Sequence, residues 1–121
     1  MNALTIPKQL MEAGLISLGE AEAAEAVAAR YAISVTQSVA QLIDPTNPHD
    51  PIARQYVPDP AELIQLPQER PDPIGDHAKS PVEGIVHRYP DRVLLKAVHV
   101  CPVYCRFCFR REMVGPQGDG T

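Results

Sequence analysis

Hydrophobic and polar positions along this chain divide it into three zones. Residues 1–43 read as helical. Pro7 at a first-turn position and Gly14 at a stop predict a helix over 7–13. "SLGE", from Ser17 to Glu20, is a capping box: the serine meets a backbone N–H and the glutamate reaches back. The helix it opens is predicted to run to about Arg30, with Ala24, Val27 and Tyr31 on one face. That apolar stripe is weak, so the helix is expected to pack on something larger than itself. "SVTQ", Ser34 to Gln37, predicts a second box and a short helix through Ile43, ending before Pro45.

Residues 44–90 contain ten of the thirteen prolines, a density that forbids long helices and central strands. Asp50-Pro51 and Asp59-Pro60 each place a capping acid before a first-turn proline, which predicts short helices near 51–56 and 60–65. "PQERPDPIGDHAKSPVEG" reads as an extended loop that wraps over a neighbouring surface. From Ile85 the pattern becomes β-rich. "GIVHRY" and "RVLLKAVHV" flank Pro90-Asp91 and predict a hairpin. The second run, Arg92 to Val100, is almost continuously apolar, as in a strand buried on both faces of a parallel sheet or barrel. The last residues, "GPQGDGT", form a polar, turn-like tail. The expected organisation is therefore a helical region over 1–43, a proline-rich segment over 44–84 and a hairpin-plus-strand region over 85–121.

Composition narrows the class. A chain of 121 residues supports one compact domain, and a hydrophobic share of 45% argues against disorder throughout. Aromatics are only 5% with no Trp, so the core is expected to be thin. No apolar run reaches the ~18 residues of a membrane span. The N-terminus lacks the order of a signal peptide, and Glu12, Glu20, Glu22 and Glu25 argue against a transit peptide. Three cysteines without a secretory signal do not form a disulfide framework; the expected compartment is a reducing cytoplasm. The formal charge of −4 conceals an asymmetry: residues 88–111 carry six basic residues against Asp91 alone. Such a block predicts small anionic ligands, carboxylate or phosphate. Nucleic acid would need a larger basic surface.

All three cysteines lie in "CPVYCRFCFRR", as Cys101, Cys105 and Cys108 in C-x3-C-x2-C spacing. Thiolates are soft ligands for zinc and for iron–sulfur clusters. A structural zinc site closes four ligands and would need a histidine, His99 being nearest. A [4Fe-4S] cluster on three thiolates would keep one iron open to a substrate or cofactor. Three unligated buried thiols are the third reading. Spacing favours the open cluster, with a non-catalytic Cys3His zinc or interaction module as the alternative.

"CPVYCRFC", with Phe107 in the aromatic slot, resembles the radical S-adenosylmethionine signature. "DPIARQYVP" and "DPIGDHAKSPVEGIVHRYPDRVLLKAVHVCPVYCRFCFRR" are similar to the lysine 2,3-aminomutase family, over about residues 31–116 and most clearly 71–115. The resemblance implies an α/β fold, α+β within these residues. In it, N-terminal helices, a proline-rich wrap, the hairpin and the first strand precede the remainder of a partial (βα) barrel. It implies that Cys101, Cys105 and Cys108 hold a [4Fe-4S] cluster whose fourth iron takes S-adenosylmethionine, yielding a 5′-deoxyadenosyl radical. The amino group of a lysine-like amino acid, held on pyridoxal 5′-phosphate, then moves from C2 to C3. Free lysine, another amino acid and a lysine destined for elongation factor P are the substrates it suggests. It implies that Phe107 lines the adenosine and that Arg110 pairs with the substrate carboxylate. Arg88, Tyr89 and Arg92 fall where the family contacts pyridoxal phosphate. An external electron donor and a homo-oligomer of the full-length enzyme are the implied partners. The family's glycine-rich S-adenosylmethionine motif and its Schiff-base lysine have no counterpart in this sequence. The chain therefore corresponds to an N-terminal part, expected to be inactive alone.

Overall fold

The computed structural model describes residues 2–115. Four helices come first: α1 (Pro7–Glu12), α2 (Leu18–Ala28), α3 (Gln37–Leu42) and α4 (Ala53–Tyr56). Two 3-10 turns follow, Pro60–Leu63 and His77–Lys79, and then strands β1 (Ile85–Tyr89) and β2 (Arg92–Leu95). The architecture is α+β, with a two-stranded antiparallel sheet. Among the described residues, no helix is long and apolar enough to cross a membrane.

Local chemistry sets the helix boundaries. Gln9 turns its side chain back, its Oε1 accepting the N–H of Thr5 at 2.8 Å ahead of α1. After α1 the chain makes a Schellman turn: Gly14 N–H donates to the Met11 carbonyl and Leu15 N–H to that of Leu10. Gly14 has φ +75°, which glycine adopts without steric cost. The capping box of α2 forms as the sequence predicts, with Glu20 N–H on Ser17 Oγ at 3.2 Å and Ser17 N–H on Glu20 Oε2 at 2.7 Å. Asp50 accepts from Ile52 and Ala53 N–H, and Asp59 from Ala61 N–H, so both acid-proline pairs cap short turns.

The box predicted at Ser34 is corrected. Thr36 is the cap of α3, its Oγ1 accepting the Val39 N–H, and α3 ends at Leu42. Ser34 is buried and its hydroxyl donates to the Pro102 carbonyl at 2.8 Å. A long-range partner outcompetes the local cap, because Val35 pairs with Leu4 in an antiparallel bridge and holds this stretch extended.

The main core lies in the helical half. Leu4, Leu10, Ile16, Ala24, Ile33 and Val35 form one buried cluster, onto which Met11, Leu15, Val39 and Tyr56 pack. Leu10 is fully buried, a contribution of about 1.5–3 kcal/mol. α1 packs on α2, the Pro60–Leu63 turn packs on α2, and the His77–Lys79 turn packs on β1.

The hairpin pairs Ile85 with Leu95, Val86 with Leu94 and Tyr89 with Arg92, leaving Pro90-Asp91 as its two-residue connection. The buried strand predicted over Arg92 to Val100 is not what forms. β2 stops at Leu95 and is exposed along its length, and Val98 and Val100 are also exposed. A strand covered on both faces needs flanking elements, and none of the described residues supplies them. The polar tail read over 115–121 lies outside the described residues, apart from Gly115.

Gly115 closes the described chain against the helical half. Its N–H donates to the His99 carbonyl at 2.9 Å. Its φ is +99°, and a Cβ there would stand 2.6 Å from the Ala32 Cβ. Gly115→Ala is therefore expected to destabilise the chain by roughly 1–3 kcal/mol, read as a lower denaturant midpoint. An unchanged midpoint would show that this contact does not contribute to the fold.

Candidate functional site

The segment Cys101 to Cys108 has no regular structure, so its shape depends on what it is fastened to. Four attachments run to the N-terminal half. Ser34 Oγ holds the Pro102 carbonyl, and Tyr104 N–H donates to the Ser34 carbonyl at 3.1 Å. The Arg106 backbone N–H donates to the Gln55 carbonyl at 2.7 Å. Tyr104 is itself buried.

The fourth attachment is the strongest. Arg106, between the second and third cysteines, lays its guanidinium on Glu62, with Nη2 to Oε1 at 2.8 Å and Nε at 3.1 Å from both oxygens. Its Nη1 donates to the Ala32 carbonyl at 2.9 Å. Both side chains are nearly sealed, at 7% and 10% exposure. A forked guanidinium suits this planar, multi-donor arrangement, and a lysine ammonium could not reproduce it. Glu62 also accepts the Asp59 N–H at 2.9 Å, so the carboxylate is fixed before the arginine reaches it.

The three thiols are unoxidised, Cys101 exposed and the other two half-buried. Burial, then the neighbouring Cys108 and Cys101, push the Cys105 thiol up from its ordinary value. The sulfurs thus sense one another electrostatically. They do not converge: among the described residues, no three His, Cys, Asp or Glu side chains are gathered at metal-ligating geometry. Cys101 borders a cavity of about 510 Å³ with Tyr104 and Arg111, whereas Cys108 borders a cleft of about 330 Å³ with Phe109 and Glu69. What fits a cluster here is the donor set: three soft sulfurs on a short turn, Cys108 N–H donating to the Cys105 carbonyl at 3.2 Å, anchored from below by Arg106. Phe107 stands exposed.

Four residues singled out in the sequence share a third concavity. Arg88, Tyr89, Arg92 and Arg110 line a space of about 300 Å³, together with Val86 and Leu94. Arg92 stacks over the Tyr89 ring at 4.3 Å and lies 3.3 Å from Asp91, an exposed and therefore weak pair. Arg110 lies over Phe109, 4.7 Å from the ring centroid. Arg88 and Arg110 both reach Asp76, with Arg88 Nη2 to Oδ1 at 2.7 Å and Arg110 Nε to Oδ2 at 2.8 Å. Asp76 is 1% exposed. Burial alone would raise its carboxyl, but the hydrogen bonds and charges of Arg110 and Arg88 outweigh that and hold it below the ordinary aspartate range. Two cations against one anion leave this wall net positive.

Arg111 does not join that concavity. Its guanidinium stacks 4.2 Å from the centroid of the Tyr31 ring, Arg30 lies 5.0 Å from the same centroid, and Glu112 lies 3.8 Å from Arg30. His49 and His77 are exposed, as is His87 on β1. Sequence reasoning missed Asp76 and Glu62, which sit in segments read as loop and short helix. It counted Arg106 only as a charge. An acidic residue in a proline-rich loop carries no local sign of burial; the signal available was the unpaired excess of arginine over 88–111.

No family model matches the chain. Curated proteins do. The chain is 41% identical to the L-lysine 2,3-aminomutase of Clostridium subterminale over 87 residues, 72% of this chain and 21% of that protein. It is 32% identical to the L-lysine 2,3-aminomutase of Haemophilus influenzae over 122 residues, 99% of this chain and 36% of that protein. It is 32% identical to the glutamate 2,3-aminomutase of Clostridioides difficile over 116 residues, 96% of this chain and 27% of that protein. The chain spans between about a fifth and a third of the length of these relatives. With the hairpin and cysteine loop both inside the region of resemblance, the chain belongs to the lysine 2,3-aminomutase family.

Proposed function

We propose that this chain is the cluster-bearing part of a cytoplasmic, radical S-adenosylmethionine aminomutase acting on lysine or a related amino acid, including a protein-linked lysine. One observation carries the reading: three cysteines in C-x3-C-x2-C spacing on a loop fastened by Arg106, in a chain whose relatives are named as aminomutases. When bound, a [4Fe-4S] cluster with S-adenosylmethionine supplies hydrogen abstraction, and pyridoxal phosphate holds the amino group that moves between C2 and C3. Cys101, Cys105 and Cys108 would hold three irons as thiolates, which requires each thiol to release its proton. Burial raises the Cys105 thiol and so opposes that release, and metal loading therefore favours higher pH.

Phe107 would offer an aromatic face to the adenine. Arg110 would take the substrate carboxylate, a task for a planar guanidinium. Arg88, Tyr89 and Arg92 would hold the phosphate, which the net positive wall of the 300 Å³ concavity supports. The apolar Val86 and Leu94 line the same concavity beside those charges. Turnover belongs to the longer protein, with an external electron donor and homo-oligomeric assembly. The test is anaerobic reconstitution of the chain with iron and sulfide. A brown protein with a reducible cluster is expected; stoichiometric zinc and no colour would replace this reading with a Cys3His module completed by His99.

A further inference from the structure

Asp76 is the buried group that no role above explains. It occupies the proline-rich loop, yet both its carboxylate oxygens accept guanidinium N–H groups from two other parts of the chain. Arg88 comes from β1 and Arg110 from the turn after Cys108, so one carboxylate ties the hairpin to the cysteine loop. The Asp76 backbone, from which the carboxylate projects, is itself fixed. Asp76 N–H donates to Asp72 Oδ1 at 2.9 Å, and Ser80 Oγ donates to the Asp76 carbonyl at 2.7 Å. Arg88 Nη2 also donates to the Ile74 carbonyl, and Arg110 is held from its other side by the Phe109 ring.

Each guanidinium gives Asp76 a single nitrogen, leaving most of its five donors for other partners. Two like charges on long, flexible stems would otherwise drift apart. Here their spacing is set before any ligand arrives, and the ordering cost is removed from the binding step.

Building on the proposed role of this concavity in holding anionic groups, we propose that Asp76 is a positioning residue. It sets Arg88 and Arg110 side by side so that their remaining N–H groups form one preorganised receptor for two neighbouring anionic groups. Its own charge does not strengthen anion binding; its geometry does. This separates it from a simple counter-charge, because the two roles predict opposite signs on neutralisation. Loss of a mere counter-charge would tighten anion binding, whereas loss of a positioning carboxylate weakens it.

The experiment is titration of the 121-residue chain with inorganic phosphate, followed by the side-chain ¹⁵Nε–¹Hε resonances of its arginines in wild type, Asp76→Asn and Asp76→Glu. In wild type without phosphate, the Arg110 Nε–H is expected to be shifted and protected from exchange. Asp76→Asn is expected to lose that protection and bind phosphate about tenfold more weakly, with Asp76→Glu recovering part of the affinity. Phosphate binding by Asp76→Asn equal to or tighter than wild type would overturn the positioning role while leaving the anion site standing. An Arg110 Nε–H in phosphate-free wild type that exchanges like free arginine would also overturn it, and this reading needs no variant to fold. Wild type that binds no phosphate would remove the anion site and the positioning role together.

Discussion

Arg106→Ala is expected to destabilise the chain by about 3–5 kcal/mol, the cost of leaving one member of a buried ion pair alone. The figure is large because the side chain does two things at once. It satisfies both oxygens of Glu62 and donates to the Ala32 carbonyl, while the backbone N–H is held separately by Gln55. Truncation keeps the backbone bond but strands a carboxylate at 10% exposure. Against a total stability of about 5–15 kcal/mol for a domain, this is a severe loss. Urea denaturation followed by circular dichroism measures it. The double variant Arg106→Met with Glu62→Leu is expected to recover most of the loss, since an apolar pair of similar volume leaves no charge unpartnered. If the single variant unfolds at the wild-type midpoint, the loop is seated by something other than this pair.

Replacing Cys101, Cys105 or Cys108 singly by alanine is expected to have the opposite profile: near-complete loss of cluster loading with a small change in stability. Each side chain is small and none is fully buried, so truncation at these positions is expected to stay within about 1 kcal/mol. The chemical loss is disproportionate, because a cluster held by three thiolates has no protein ligand to spare. Iron and sulfide analysis after anaerobic reconstitution measures it, with roughly four of each per chain for the wild type and close to none for each variant. Full loading of any one alanine variant would mean that the missing cysteine is not a ligand. Comparing this series with Arg106→Ala separates the groups that would hold the metal from those that seat the loop.

The two series also mark what was legible in the sequence. The cysteines, the hairpin with its Pro90-Asp91 connection, the Ser17 box and the two acid-proline caps are local signals, each decided within a few residues. The structure forms the hairpin, the Ser17 box and both caps, while the three sulfurs do not converge among the described residues. Ser34 went elsewhere because its hydroxyl found Pro102, far along the chain, and a cap signal cannot register such a competitor. The apolar run after Arg92 was read as a covered strand, since its composition suits burial on both faces. Among the described residues it is exposed, consistent with a chain that spans only part of its relatives' length. Asp76 and Glu62 were invisible for a different reason. A buried acid in a loop is identified only by the arginines that reach it, and those pairings bridge 12, 34 and 44 positions. The excess of arginine near the cysteines pointed to anions, and the first ones found are the chain's own carboxylates.

On the proposed reading, three thiolates would leave one iron of a cluster open for S-adenosylmethionine. The most direct measurement is electron paramagnetic resonance of the reconstituted, reduced chain, recorded before and after addition of S-adenosylmethionine. The expected result is the signal of a reduced [4Fe-4S] cluster whose line shape changes when S-adenosylmethionine is added. A cluster signal left unaltered by S-adenosylmethionine, or a colourless protein carrying one zinc, would contradict it.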